Sequence, residues 1–325
     1  MGETVDKVLS SGAEADFDTI RAAVREVMKE DGLSQTAIAR AAGLDDGRMS
    51  GFMTGKYSGH MPPIAVILRN FLSTRQSKAV VRSAVPAPTS FVETETSRLF
   101  HDLFARAHHT PSMVCITGNP GVGKTEAARA YRRTSANVWL MTATKSIAGV
   151  YSMLENVCDL LGVQENSPSR RARAIAARLR NTGSLLIIDE AQLMSLDAVD
   201  ELRAFHDNPD VRLGIALVGS SETWLRMSNG GKRGQYAQLR RRFETHVFRK
   251  TPLAGDVNAL LDAEGILDND VRRLLRTEAA RVGALGEMKF VLRDARYVAV
   301  GAGRTDVTTE DVKLASRQRQ MEAAA

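Results

Sequence analysis

Apolar residues return every three or four positions at Phe17, Ile20, Ala23, Val24, Val27 and Met28. That spacing predicts a helix with one buried face. The next stretch, LSQTAIARAAGLDDGRMSGFMTGKY over residues 33–57, predicts two shorter helices. Ser34 is placed to cap the first, over 35–41, and Gly43 permits a tight turn into the second, over about 45–53. Small Ala39 lets the pair cross closely, while Leu44 and Phe52 can fill the space beneath. Residues 1–72 therefore read as an all-α unit with a helix-turn-helix pattern, and 73–90, with Pro86 and Pro88 and no clear period, as a linker.

The pattern then changes. Short apolar strands over 113–117, 138–141, 184–189, 212–218 and 245–248 alternate with helices near 97–108, 124–133, 146–161, 168–180 and 196–207. Such alternation implies right-handed crossovers and an α/β core over 91–250, with a mainly parallel sheet and helices on both faces. After Pro252 only helical spacing remains, near 256–263, 268–282, 286–299 and 308–320, the last capped by Thr308 with Asp311. Residues 251–325 read as a separate helical lid.

Composition narrows the classes. At 43% hydrophobic and 25% charged, the 325-residue chain is ordinary for a soluble protein. Apolar runs approaching 18 residues are absent, and the acidic, polar start is unlike a signal peptide, so no membrane partner and a cytoplasmic location are expected. Cys115 and Cys158 lack metal-like spacing and read as buried free thiols. The net charge of +6 leans toward an anionic partner, but unevenly. Residues 1–72 hold eight Lys/Arg against ten Asp/Glu. Basic clusters fall instead at Arg170, Arg171, Arg173, Arg178 and Arg180, and over 226–250, where eight cations face Glu244 alone.

The chemistry sits between the first core strand and the helix after it. Gly118, Asn119, Pro120, Gly121, Val122, Gly123, Lys124 and Thr125 spell G-x-x-x-x-G-K-T. Glycines let backbone amides turn inward around phosphate oxygens, and the helix N-terminus adds its positive end. Lys124 is placed to reach the β- and γ-phosphates and Thr125 to ligate Mg²⁺. The apolar strand ending at Asp189 and Glu190 supplies paired carboxylates, one for the Mg²⁺ shell and one to polarise an attacking water. That second acid points to hydrolysis, and the lack of an N-K-x-D guanine reader points to ATP. Ser220 ends a further strand where a polar group can orient water, Arg240, Arg241 and Arg242 close a basic turn, and Lys289 lies on a lid helix.

This order of motifs resembles the AAA+ ATPases. The whole layout, with GRMSGFMTGKYSG in the N-terminal unit and DEAQ at 189–192, is similar to the B transposition protein family of phage Mu. The resemblance covers nearly the whole chain. It implies an AAA+ core with a helical lid behind a helix-turn-helix domain, and an ATP-dependent ATPase that assembles as a homo-oligomer or helical filament on double-stranded target DNA and recruits or activates a transposase. It also implies Ser220 as first sensor, Lys289 as second, and an arginine acting on a neighbour's nucleotide, Arg242 preceding Phe243, with Arg240 and Arg241 open. DNA contacts are expected at Lys145, Arg170, Arg171 and Arg173, in loops that face the axis of such assemblies. The N-terminal unit would touch DNA through Arg48 and Lys56, although Asp45 and Asp46 open its second helix and a protein-contacting bundle fits the same pattern. A replication initiator or helicase loader is the alternative, though there the DNA-binding module usually follows the lid.

Overall fold

The computed structural model describes residues 17–57, 59–84, 91–229 and 237–324. The chain divides into two compact units, Met1–Ala87 and Pro88–Ala325.

In the first unit, α1 (Phe17–Asp31), α2 (Gln35–Ala42), α3 (Asp46–Thr54) and α4 (Met61–Ala84) enclose Ile20, Val24, Ile38, Phe52, Leu68 and Leu72. The cap expected at Ser34 forms, its Oγ accepting from Ala37 N at 3.1 Å; Asp45, which the sequence placed only at the start of the second helix, caps it by accepting from Arg48 N at 2.8 Å. Gly43 ends α2 at φ 75, which a glycine adopts without steric cost. The expected linker needs correction. Residues 73–84 continue α4, and Arg75 bonds Asp31 and Glu30 at the end of α1. Weak periodicity hid this helix, whereas the absence of Gly or Pro over 73–85 permits it. Pro86 and Pro88 lie outside the described residues.

The second unit is built on five parallel strands in the order β2-β3-β4-β1-β5. They are β1 (Met113–Gly118), β2 (Val138–Thr142), β3 (Leu185–Asp189), β4 (Gly214–Gly219) and β5 (Phe243–Arg249). Alternate residues serve opposite faces. Met113, Cys115, Leu186, Ile188 and Leu217 pack under α7 (Val150–Leu161), α8 (Pro168–Leu179) and α9 (Leu196–Asp207). Val114, Ile116, Ile187 and Val218 pack under α5 (Glu95–His109) and α6 (Lys124–Thr134). Two further helices belong to this unit, α10 (Ser221–Asn229) and α11 (Ala237–Arg242). Both cysteines are buried and free, and burial pushes the Cys115 thiol far up. Among the described residues no helix is long and apolar enough to cross a membrane.

The lid comprises α12 (Ala254–Ala263), α13 (Asn269–Ala279), α14 (Ala284–Gly301) and α15 (Thr309–Ala324) around Leu261, Leu275, Met288 and Val291. Buried Asp256 fastens it to α5, accepting from Thr96 N at 2.9 Å and from Leu253 N at 2.8 Å. At α15, Asp311 takes Arg304 in a two-pronged bond (2.6 and 2.7 Å) and accepts from Thr308 N at 2.9 Å. The Arg304 guanidinium holds this carboxyl far below the usual range. A depressed carboxyl contributes stability above its unfolded value, about 3.9, and loses it as pH falls. Asp311→Ala should thus lower unfolding stability at pH 7 by about 1–3 kcal/mol. Denaturant curves at pH 7 and pH 3 should show that gap narrowing in acid; a gap independent of pH refutes the assignment.

Candidate nucleotide site

The phosphate loop leaves β1 where the sheet gives it no freedom. Asn119 N bonds Arg249 O at 3.1 Å, and a Cβ on Gly118 would stand 2.4 Å from that same oxygen. Gly121 and Gly123 take φ values of 82 and 90, and Gly123 opens α6. Val122 is buried and pins the loop, leaving Pro120 on the surface. The loop amides thus lead into a helix N-terminus, where anions are favoured.

Lys124 Nζ donates to the carbonyls of Gly118 (2.8 Å) and Asn119 (2.9 Å). Burial pushes its ammonium pKa down, against the opposing pull of Glu190 and Asp189. Thr125 Oγ1 donates to Asp189 Oδ2 at 2.8 Å, and Glu190 N donates to Asp189 Oδ1 at 3.0 Å. Asp189 is 3% exposed, and burial pushes its carboxyl up despite those two donors. Thr125 and Asp189 form an all-oxygen pair of the kind a hard divalent cation takes. Among the described residues no cluster of three or more His, Cys, Asp or Glu offers a different kind of metal site. Glu190 stands half-buried beside the pair, its backbone at φ 55. Its carboxylate accepts from Gln192 Nε2, and Gln192 in turn accepts from Ser220 N at the tip of β4, at 3.0 Å. The structure therefore gathers Lys124, Thr125, Asp189, Glu190 and Ser220 at the C-terminal ends of β1, β3 and β4, where parallel α/β sheets bind ligands.

The lid closes one side. Leu285 N donates to Gly121 O at 3.2 Å, and a Cβ on Gly121 would lie only 1.8 Å from Gly283 O. Gly283 and Ala284 both take left-handed backbone, φ 92 and 45. One turn further on, Lys289 lines a cleft of about 510 Å³ with Phe91, Val92, Glu126, Leu260 and Leu285. The sequence pointed to Lys289 but gave no sign of Phe91 or Val92, which lie before the first periodic segment of the α/β core.

The arginines at the end of α11 divide. Arg242 pairs with Asp207 at 3.3 Å, and Arg240 lies 5.3 Å from the Trp224 ring centroid. Arg241 is exposed, and among the described residues none of the three bonds the phosphate loop. Lys145 is exposed in the turn after β2, and Arg170 and Arg173 are exposed on α8. Arg171, expected beside them as a DNA contact, is engaged within the chain. Its guanidinium bonds Glu155 (2.7 Å) and the Glu165 carbonyl (3.3 Å), tying α8 to α7, and its side chain is 14% exposed. Lys56 is exposed, whereas Arg48 pairs with its own cap residue Asp45 at 3.2 Å.

A parallel five-stranded core carrying this loop and paired acids, with a helical lid on the loop, is that of a AAA+ ATPase. Residues 106–227 match the AAA domain family, and 241–319 match the family described as Mu B transposition protein, C terminal. The ATP-dependent target DNA activator B of Escherichia phage Mu is 34% identical over 287 residues, spanning 87% of this chain and 90% of that protein. The DNA transposition protein B of the Mu-like prophage FluMu in Haemophilus influenzae is 28% identical over 267 residues, 81% and 91% of the two chains. The chain belongs to the Mu B transposition protein family. Solved structures with the same fold include the Aeropyrum pernix ORC2 protein (TM-score 0.56, 15% identity, 72% and 71% covered). The ORC1 protein of that organism, in complex with DNA, also shares it (TM-score 0.52, 20% identity, 72% and 68% covered).

The loop–lid contact is open to test. Gly121→Ala adds a left-handed penalty of roughly 1–2 kcal/mol to a collision with Gly283. Amide exchange at Leu285 should quicken and ATP binding weaken; unchanged exchange there would count against the clasp.

Proposed function

We propose that the chain is an ATP-driven target-DNA adaptor: it binds Mg²⁺–ATP, assembles in many copies on duplex DNA, delivers that DNA to a transposase, and dissociates after hydrolysis. The observation that carries this reading is a phosphate loop whose Thr125 meets Asp189 beside Glu190, within a chain matching nine-tenths of a relative named for target DNA activation.

In this reading the loop amides and Lys124 cradle the phosphates, Lys289 faces the nucleoside side, and Thr125 with Asp189 holds Mg²⁺. Magnesium, when bound, offsets phosphate charge. Glu190 accepts the proton of the attacking water, and Ser220 orients that water at the β4 tip. The remaining positive charge comes from a neighbouring copy, through Arg242 or the adjacent Arg241, in keeping with the absence of any bond between these arginines and their own loop among the described residues. Assembly and catalysis are then one event, because each site is finished by the next subunit.

DNA contact falls to exposed Lys145, Arg170 and Arg173 of the ATPase core. Such contacts meet phosphates rather than bases, which suits a protein that must accept many targets. The helix-turn-helix pattern of α2 and α3 serves as a second contact, with DNA through Lys56 and Arg48 or with another protein; its net acidic unit makes it a weak electrostatic anchor.

Two experiments test the reading. Glu190→Gln should retain ATP and DNA binding while turnover falls at least about a hundredfold, whereas Lys124→Ala should weaken nucleotide binding itself. Wild-type turnover in Glu190→Gln would falsify the role given to that carboxylate. For DNA, Lys145→Ala with Arg170→Ala should lower the slope of log affinity against log salt by about one unit per lost contact. The N-terminal unit can be removed at residue 87, past the end of α4, and ATP-dependent binding should persist. An unaltered slope, with binding lost on that truncation, reverses the assignment.

A further inference from the structure

Gln192, the fourth residue of DEAQ, uses both ends of its amide. Nε2 donates to Glu190 Oε2, and Oε1 accepts from Ser220 N at 3.0 Å. The residue sits in the single turn Ala191–Leu193. That turn is held by Leu193 N on Glu190 O (2.9 Å), Met194 N on Ala191 O (3.1 Å), and Arg226 of α10 on the Gln192 carbonyl. The tip of β4 is shaped to admit the amide. A Cβ on Gly219 would lie 2.4 Å from Gln192 Oε1 and 2.5 Å from Thr223 Oγ1. Glu190, at φ 55, holds an unusual backbone conformation for a non-glycine residue exactly where its side chain must be aimed.

A free glutamate side chain has many rotamers, and fixing it costs roughly 1.5–2 kcal/mol of entropy. A neutral amide on one carboxylate oxygen supplies that restraint and leaves the other oxygen to accept a proton. Its far end is fastened to the strand tip beside Ser220 rather than to the surface.

We propose that Gln192 is a positioning residue for hydrolysis: it grips the Glu190 carboxylate by one oxygen and couples it to the β4 tip, so the water-activating group and the strand end beside the γ-phosphate move together. The proposal rests on the reading of Glu190 as the water-activating carboxylate. Gln192 itself touches neither nucleotide nor water in this account.

The test is steady-state ATP hydrolysis by the full chain with DNA present. Gln192→Met keeps length and volume but neither donates nor accepts. It should lower kcat by about ten- to a hundredfold, short of the full loss of the base, with KM for ATP little changed. Gln192→Glu keeps an acceptor for Ser220 N but sets a second carboxylate against Glu190, and should lose as much. Gly219→Ala displaces the amide without altering Gln192 and should act in the same direction. Because Gln192 works through Glu190, the double variant Gln192→Met/Glu190→Gln should turn over no more slowly than Glu190→Gln alone. Wild-type kcat in Gln192→Met, or losses that multiply in the double variant, overturn the proposal. Wild-type turnover in Glu190→Gln is a different failure, removing the base assignment itself.

Discussion

A carboxylate with 3% of its surface exposed, at the end of a wholly buried strand, sets the terms for the rest of the ATPase unit. Burying Asp189 costs free energy unless donors meet it, and a buried ion without partners would protonate or destabilise the strand. Thr125 Oγ1 and Glu190 N meet its two oxygens. Those donors stay in place only if β1 and β3 keep their separation, and β4 lies between the two strands, hydrogen-bonded to both. The apolar alternation of β1, β3 and β4, with both faces covered by helices, is what fixes that spacing. Burial pushes the Asp189 carboxyl up despite these donors, and a divalent cation held by Asp189 and Thr125 would offset that cost.

Strain gathers at the same place. Gly121, Gly123, Glu190, Gly283 and Ala284 all hold left-handed backbone within or against the loop. Two of them, Glu190 and Ala284, carry side chains that make this conformation uncommon. Both are over-determined by hydrogen bonds around them: Glu190 by Asp189 and Gln192, Ala284 by Arg281 O at 3.1 Å and by the neighbouring Leu285–Gly121 bond. Ligand clamps often contain strain of this kind, although Asn137, Asn181 and Arg212 hold left-handed backbone in turns elsewhere. The lid is thus joined to the phosphate loop through backbone rather than through adaptable side chains, and displacement of one must be felt by the other.

Most of this was legible in the sequence, because its signals are local. The alternation of strands and helices, the glycine loop, the paired acids, and the Ser34 and Thr308 caps are each set by residues within a few positions. What escaped depended on distance or on absence of pattern. Residues 73–84 lack an amphipathic period and are held by Arg75 against α1, some 44 residues away in sequence. Arg171 looked like one more exposed cation in a basic run until Glu155 and Glu165 claimed it. Gln192 gave no signal beyond its place in DEAQ, since its partners are Glu190, two residues before, and Ser220, 28 residues on. The cleft beside Lys289 draws on Phe91 and Val92, which no periodicity marks.

The three arginines of the α11 turn are held with unequal strength. Arg242 is held by Asp207 in a pair that is half exposed on the arginine side, and such pairs are worth about 0–1 kcal/mol. Asp207 also has Arg203 at 2.7 Å, so it would not be left bare if Arg242 withdrew. Arg240 is costlier to move. Its guanidinium lies over Trp224, which stacks on His246 at 4.0 Å, and His246 bonds Thr117 at 2.7 Å, one residue before the phosphate loop. Burial pushes the His246 pKa down, with Arg240 adding to the effect, which favours the neutral imidazole that can share one hydrogen bond with a hydroxyl. Within one short helix, then, Arg240 is tied through Trp224 and His246 to the chain's own β1, whereas Arg242 holds only a half-exposed pair. On the proposed reading of shared sites, it is therefore Arg241 or Arg242, not Arg240, that the fold leaves cheap to redirect toward a neighbour.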